Sequence, residues 1–137
     1  MNISKHFMSS LDLNKEFQEF RKSGELYKQI FNCSVLPIII HDMYLNIIDV
    51  NDTAIAEFGY SKEEFLDLQV LDLHAESEMK HSLEVLEKMK KENTLTVKSF
   101  FKRKDGTVFS AAAFPCKVNF ENLSFIHVHL QKLESQI

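Results

Sequence analysis

The first recurring pattern of apolar residues lies near the N-terminus. Between Leu11 and Phe31, aromatic and aliphatic residues recur at alternating spacings of four and three, as on the side of a helix that pairs with another helix. Gly24 interrupts this stripe and is a candidate hinge. The pattern predicts an amphipathic helix that binds a second copy of the chain. Its predicted contact residues are Leu13, Phe17, Phe20, Tyr27 and Phe31.

Two short strands and a short helix follow this stripe. The runs Ile38–Ile40 and Ile47–Val50 are rich in β-branched residues and are flanked by polar residues, which is typical of buried strands. Asn51 or Asp52 can cap a helix that runs through Phe58. Gly59 suits the C-terminal end of that helix, because glycine adopts the left-handed conformation required there.

The middle of the chain predicts two more helices. Ser61 and Glu64 form a capping box ahead of an apolar pair, so a short helix begins directly after Gly59. From Glu76 to Lys91, apolar residues recur at helical spacing among Lys and Glu. This segment predicts a longer helix with one solvated face.

The pattern changes to a period of two in the C-terminal third. Apolar and polar residues alternate from Leu95 to Lys102, and Asp105-Gly106 then supplies a tight turn. Strands over Thr107–Val118 and Leu123–Gln131 complete an antiparallel meander. The order of elements predicts an α+β fold in which helices pack on one antiparallel sheet.

Composition and charge narrow the function classes. The 137 residues are 45% apolar and 26% charged, which fits one globular domain. A net charge of −4 argues against a nucleic-acid partner. The longest purely apolar run, Val35–Ile40, is too short to span a bilayer. Two cysteines without CxxC spacing favour a reducing compartment, so we expect a cytoplasmic domain with no membrane span.

Three segments of the sequence form an ordered set of motifs: PIIIHD, then IIDVNDTAIAEFGYSKEEFLDLQVLDL, then FFKRKDGTVFSAAAFP. Together they resemble the PAS domain family, also called the sensory box. The resemblance implies a five-stranded antiparallel sheet with short helices on one face and an N-terminal amphipathic helix on the other. It assigns residues 26–132 to a PAS sensor domain, 1–25 to a coiled-coil-like helix and 133–137 to a tail leading toward an output domain absent from this chain.

The resemblance also implies a function, because PAS domains regulate signalling domains. We expect a homodimeric module that binds a small ligand and controls an output domain of the histidine kinase or diguanylate cyclase type. No Gly-rich phosphate loop, nucleophile elbow or HExxH motif occurs, so we expect no enzymatic activity. Two positions depart from the family pattern: Asp67 replaces a frequent Gly, and His129-Leu130-Gln131 replaces the acidic motif that ends many signalling members.

The resemblance places the helices over one sheet face and thereby predicts a small, largely apolar ligand pocket. The small side chains of Ala111, Ala112 and Ala113 leave both faces of a central strand thinly filled. Dense packing by the Phe side chains is the alternative. The predicted pocket residues are Phe58, Leu66, Leu73, Leu83, Leu86, Ser99, Ala111 and Ala113.

Histidines support a second function, sensing of a gas or of redox state through haem. Haem-binding PAS domains hold the iron through a His on the long helix, and His81 lies near that position, with His74 at the start of the helix. A single His on an amphipathic helix is more often structural. Flavin photosensors of the family carry a reactive Cys where this chain has Leu68–Leu71, so flavin adduct chemistry is not expected.

Two further alternatives concern metal binding and catalysis. His127 and His129 share a strand face, and His41 on a neighbouring strand could join them around a divalent metal. Without a fourth ligand we predict no metal site. A small enzyme of the ketosteroid-isomerase type, with a buried Asp or His as base, has a similar length but needs more strands than this sequence predicts.

Overall fold

The chain divides into two compact units after Cys33. A computed structural model describes residues 10–133, apart from the side chains of residues 10–14, 16–21 and 79. The first unit contains one long helix, α1, which spans Ser10–Cys33. The second unit, which begins at Ser34, contains the sheet and all the remaining helices. No helix in the described part of the chain is long and apolar enough to cross a membrane.

Helix α1 runs through Gly24 without a break. Tyr27 and Phe31 stack on one another with ring centroids 5.7 Å apart, as their spacing of four residues allows. Half of the Tyr27 surface is exposed, whereas Phe31 is buried. The side chains of the other predicted contact residues, Leu13, Phe17 and Phe20, lie outside the described part of the structure.

The second unit is an antiparallel sheet with helices between its second and third strands. The sheet order is β2-β1-β5-β4-β3, and every neighbouring pair is antiparallel. This arrangement confirms the predicted α+β class and the five-stranded sheet. The strands are β1 Ile38–Asp42, β2 Ile47–Val50, β3 Val97–Lys102, β4 Val108–Phe120 and β5 Leu123–Lys132. The helices are α2 Asp52–Phe58, α3 Lys62–Leu66 and α4 Met79–Met89, with 3-10 helices at Val70–Leu73 and Glu76–Glu78.

Asn51 ties the first strand to helix α2. Its side-chain oxygen accepts hydrogen bonds from the backbone amides of Ile38 at 2.9 Å and Ala54 at 3.0 Å. Its amide group donates to the Leu36 carbonyl at 3.0 Å. Asn51 is fully buried, so these bonds replace water at backbone groups that would otherwise be unsatisfied. The predicted helix cap is confirmed, and the same side chain also fixes where β1 begins.

The other predicted caps also form. Gly59 ends α2 with a φ of 83°, a conformation that glycine adopts at little cost. Ser61 and Glu64 make both bonds of the capping box at the start of α3. Gly106, with a φ of 89°, lies in the turn between β3 and β4. These local rules place the short helices correctly along the chain.

The register of the strands separates the residues of the sheet into two faces. Directly paired residues lie on the same face, so the pairs of Ser99 with Ala111 and of Val97 with Ala113 mark one face, which we call the inner face. Because β4 pairs with β5 and β5 pairs with β1, the inner face also includes Leu130, Val128, Ile126, Ile39 and His41. The opposite, outer face includes Ala112, Phe114, Cys116, His127 and His129.

Four phenylalanines fill one part of the inner face. Phe58 is at their centre, with ring centroids 5.8 Å from Phe65, 6.3 Å from Phe101 and 5.4 Å from Phe109. The rings meet edge to face, which aromatic pairs prefer. We call these residues the Phe cluster. Ala111 is fully buried and belongs to the same core.

An ion pair joins α2 to the segment that follows β3. The Arg103 guanidinium donates to the Glu57 carboxylate at 2.9 Å and lies 4.4 Å from the centroid of the Phe109 ring. Lys132 on β5 contacts the same carboxylate at 3.2 Å. Hydrogen bonds to Arg103 and Lys132 therefore lower the pKa of Glu57, against an opposing effect of burial.

We predict that Asn51→Ala lowers the free energy of unfolding by about 3 kcal/mol, since a helix cap is lost and the buried Ile38 amide loses its partner. Urea denaturation measures this change. Ser61→Ala is the control, because Ser61 caps an exposed helix and its loss costs about 1 kcal/mol. An equal loss in the two variants would show that Asn51 acts only as an ordinary cap.

Candidate functional site

A small cavity lies between the inner face of the sheet and the helical segment that precedes β3. Its volume is about 80 Å³. One wall is formed by strands β1, β3, β4 and β5, and the other by the first 3-10 helix and α4. The lining residues are Ile39, His41, Leu45, Val70, Leu73, His74, His81, Ser82, Val85, Leu86, Met89, Val97, Ser99, Phe101, Ala113, Pro115, Ile126, Val128 and Leu130.

Small side chains on the inner face leave room for this cavity. Ser99 and Ala113 lie beneath α4, where longer side chains would reach the helix. The Phe cluster fills the neighbouring part of the same face, and Phe101 belongs both to the cluster and to the cavity wall. The inner face therefore has a tightly packed part under α2 and α3 and an open part under α4.

Ser99 lines the cavity, and its hydroxyl group is buried and unpaired among the described residues. Only 5% of the residue is exposed, and its Oγ has no hydrogen-bond partner among the described residues. A buried hydroxyl without a partner costs about 1–3 kcal/mol. By contrast, Ser82 on the opposite wall donates to the Glu78 carbonyl at 3.2 Å. Ser99 is thus a polar group that a ligand in the cavity could satisfy.

His41 lies in the sheet wall and is buried. Its Nδ1 is 2.8 Å from the Asp42 carbonyl. A carbonyl oxygen only accepts hydrogen bonds, so Nδ1 carries the proton. Burial lowers the pKa of His41, and the Asp42 carbonyl opposes this effect only in part. The imidazole is therefore neutral near pH 7.

His74 has the same arrangement in the helical wall. It follows the first 3-10 helix, and its Nδ1 is 3.0 Å from the Val70 carbonyl. Its ring centroid is 4.6 Å from that of Phe101. Burial lowers the pKa of His74, against smaller opposing effects of the Val70 carbonyl and the Glu78 charge. This imidazole is also neutral near pH 7 and carries its proton on Nδ1.

The cavity lining lacks carboxylate, ammonium and guanidinium groups. Among the described residues, none of those lining it is Asp, Glu, Lys or Arg. Burying an unpaired charge is strongly unfavourable. The site is therefore suited to a neutral, mainly apolar molecule that forms hydrogen bonds with Ser99 and the histidines.

Six of the ten residues predicted for the ligand or haem site lie together around this cavity. They are Leu73, His74, His81, Leu86, Ser99 and Ala113.

The other four lie elsewhere. Phe58 and Ala111 are fully buried in the neighbouring core. Leu66 is 43% exposed, because the single turn of α3 buries Phe65 instead. Leu83 is 49% exposed, because α4 turns the face with Ser82 and Leu86 toward the cavity. These four residues are not part of the cavity wall.

His41 lines the cavity, although it was not among the pocket residues predicted from the sequence. The signal was present, because Ile39 and His41 are two residues apart in a strand and so share a face. Pro115 and Met89 also line the cavity, and both belong to the apolar pattern of their elements. Their participation depends on the register of β4 and on the rotation of α4 about its axis.

The structure does not bring together the three histidines considered as metal ligands. His127 and His129 lie on the outer face with ring centroids 4.5 Å apart. His41 lies on the inner face, because it pairs with Ile126 rather than with either of these residues. No group of three His, Cys, Asp or Glu residues able to hold a metal occurs within residues 10–133.

The cavity does not fit haem. Its volume of about 80 Å³ is below the range of roughly 300–1,000 Å³ found for pockets that hold drug-sized ligands, and a haem macrocycle is at least as large as such ligands. His81 does line the cavity, but the space beside it does not admit a porphyrin. A flavin ring system meets the same obstacle.

We predict that stability falls as the pH decreases from 7.5 to 5.5. His41 and His74 have folded-state pKa values below the ordinary 6.5, so the unfolded chain takes up protons first. Their contribution is complete above pH 6.5 and is lost as the pH falls through the folded-state values, with a slope of at most about 1.4 kcal/mol per pH unit for each residue. Chemical denaturation across this range measures the slope.

His41→Asn and His74→Asn together should flatten this dependence. Asn retains a donor near the position of Nδ1 but does not titrate. His127 remains in the double variant, and burial followed by the charge of His129 lowers its pKa as well, so part of the slope persists. An unchanged slope would mean that His41 and His74 take up no more protons in the unfolded chain than in the folded protein.

Comparisons with known proteins identify the fold and the family. The PAS domain family model matches residues 33–129. The structure is similar to a PAS domain from a two-component sensor histidine kinase (17% identity, 82% of this chain and 98% of that chain, TM-score 0.74). It is similar to the PAS domain of an HTR-like protein from Haloarcula marismortui (17% identity, 88% and 99%, TM-score 0.78). It also resembles a domain of a sensory box sensor histidine kinase/response regulator from Geobacter sulfurreducens (17% identity, 78% and 92%, TM-score 0.67).

No curated protein matches the sequence. The family match covers most of the chain, and its limits enclose β1, the helices around the cavity and most of β5. The chain is therefore a member of the PAS domain family.

Proposed function

We propose that this PAS domain senses a small molecule that binds in the inner-face cavity and that it regulates an output domain by doing so. The observation that carries the proposal is the Ser99 hydroxyl, which is buried at the cavity and has no partner among the described residues. An unsatisfied buried polar group is destabilising, and a ligand with a matching group removes that cost. The rest of the wall is mainly apolar and supplies hydrophobic contact.

The output domain is most simply a histidine kinase or a diguanylate cyclase. Two of the similar structures belong to sensor histidine kinases, which supports the first of these classes. The domain itself is a sensor without catalytic activity in this proposal. The family assignment favours this sensor function over the ketosteroid-isomerase alternative. The small volume of the cavity argues against haem sensing. Two free cysteines support a reducing compartment such as the cytoplasm.

We also propose that the domain is a homodimer. The N-terminal stripe of α1 and the outer face of the sheet are the candidate contact surfaces. Phe100 on the outer face and Tyr27 on α1 are each about half exposed, and apolar groups in such positions favour association. Leu26 and Ile30 on α1 are exposed as well.

We predict that Ala113→Val abolishes ligand binding and leaves the fold intact, because the added methyl groups enter the cavity. A ligand that binds only the folded state adds about 2.7 kcal/mol at a hundredfold excess over its dissociation constant. A thermal-shift screen of small neutral metabolites therefore detects binding in the unmodified protein. The same compounds should produce no shift in Ala113→Val.

Ala111→Val is the matched control. Ala111 lies on the same face and is fully buried away from the cavity, so its enlargement should cost about 1–3 kcal/mol by overpacking. If Ala113→Val is as destabilising as Ala111→Val, the cavity offers no usable space. If no compound shifts the melting temperature, ligand sensing is wrong and the domain acts only through its contacts with other domains.

We predict that Phe17→Glu combined with Phe20→Glu weakens a dimer that sedimentation detects in the unmodified protein, because two charges then face the apolar stripe of α1. Lys15→Glu with Lys22→Glu is the control, since Lys15 and Lys22 are exposed. A change in melting temperature at unchanged mass would instead indicate that the stripe stabilises a single chain.

A further inference from the structure

We propose that the ligand of the inner-face cavity is a small neutral molecule that donates an N–H or O–H hydrogen bond to the imidazole of His41 or to that of His74. This inference rests on the proposed function, because it names the chemical class of the ligand for the same cavity. It follows from the size of the cavity, from the charges around it and from the position of the proton on each imidazole.

The size and charge of the cavity set two limits on the ligand. A volume of about 80 Å³ is smaller than the roughly 150 Å³ of an engineered cavity that binds benzene. No carboxylate, ammonium or guanidinium group of the described residues lines the wall, so a charged ligand would lose its hydration without gaining a counter-ion. The ligand is therefore small and uncharged.

The imidazoles decide the direction of the hydrogen bond. In both residues Nδ1 lies within 3.0 Å of a backbone carbonyl, that of Asp42 for His41 and that of Val70 for His74. Each carbonyl requires a donor, so the proton of the neutral ring lies on Nδ1 and the lone pair lies on Nε2. Both residues line the cavity, one from the sheet and one from the helical wall. The Nε2 atoms of these two wall residues can therefore only accept a hydrogen bond.

Ser99 adds a third polar contact that fits either kind of ligand group. A hydroxyl both donates and accepts, so Ser99 does not distinguish a donor from an acceptor. It does favour a ligand that is polar at one position over a purely apolar one. His81 lines the cavity as well and, like Ser99, is not the basis of this preference. The Nδ1 hydrogen bonds of His41 and His74 set the preference, and Ser99 strengthens binding of a polar group that lies near it.

Matched pairs of probe molecules test the inference. Pyrrole has an N–H donor and furan has none, although the two rings have nearly the same size and shape. The smaller pair of 2-propanol and acetone differs in the same way. Titrations followed by protein NMR should show pyrrole and 2-propanol binding about fivefold more tightly than their partners, as expected for one neutral hydrogen bond.

Variants of His74 and His41 connect this preference to the imidazoles. Asn retains a donor near Nδ1 and removes the acceptor at Nε2, whereas Gln places an amide oxygen near Nε2. The preference for pyrrole should therefore disappear in His41→Asn/His74→Asn and persist in His41→Gln/His74→Gln. Nitrogen-15 NMR of the imidazoles at pH 7.5 should also show a proton on Nδ1 and none on Nε2 in both residues.

The possible outcomes separate this inference from the proposed function. If furan and acetone bind as tightly as their partners or more tightly, or if the protons lie on Nε2, the donor class is wrong and the cavity remains a ligand site. If none of the four probes shifts the resonances of the cavity residues, the cavity does not admit small molecules, and the proposed function fails together with the inference.

Discussion

The buried side chain of Asn51 is the interaction on which the arrangement of sheet and helices depends. Three hydrogen bonds of this side chain join the segment before β1, the first residue of β1 and the first turn of α2. The backbone adds a bond from the Asn51 amide to the Ile38 carbonyl at 3.1 Å. Because β1 pairs with both β2 and β5, the position of its first residue sets the register through which His41 reaches the inner face.

This register, together with the direction in which α2 leaves the sheet, determines where the core is dense and where it is open. Helix α2 brings Phe58 over Phe101 and Phe109, and the ion pair of Glu57 with Arg103 holds the end of that helix to the sheet. The Phe cluster therefore occupies the part of the inner face nearest α2. The part under α4 includes the small side chains of Ser99 and Ala113, and the cavity lies there.

Local rules in the sequence predicted the elements and their order. The Asn51 cap, the capping box of Ser61 and the glycine at position 59 depend on neighbouring residues, and each formed as expected. The alternation of β3 likewise predicted that Ser99 and Phe101 share a face. Such features need no knowledge of distant contacts, so a single sequence is sufficient to find them.

The cavity wall was only partly predictable, because it depends on how elements rotate and pair. The hydrophobic stripe of α4 predicted Leu86 correctly as a cavity residue but also included Leu83. Leu83 is one position after the buried Ser82, so its side chain points about 100° away from that of Ser82 around the helix axis. His41 and His127 look equivalent in the sequence, yet the register of β1 with β5 places them on opposite faces. Only the fold distinguishes the histidine of the cavity from those of the outer surface.

The two walls of the cavity differ in how firmly they are held, and this difference indicates where a ligand would act. The sheet wall rests on the long ladder between β4 and β5. The helical wall is fixed to it by fewer bonds, such as that of the Ala75 amide to the Phe100 carbonyl at 3.1 Å. A segment with few anchoring bonds opens at lower free energy than a central strand. Since a ligand shifts only those states for which its affinity differs, occupancy of the cavity would be expressed chiefly in the position of His74 and α4 rather than in the sheet.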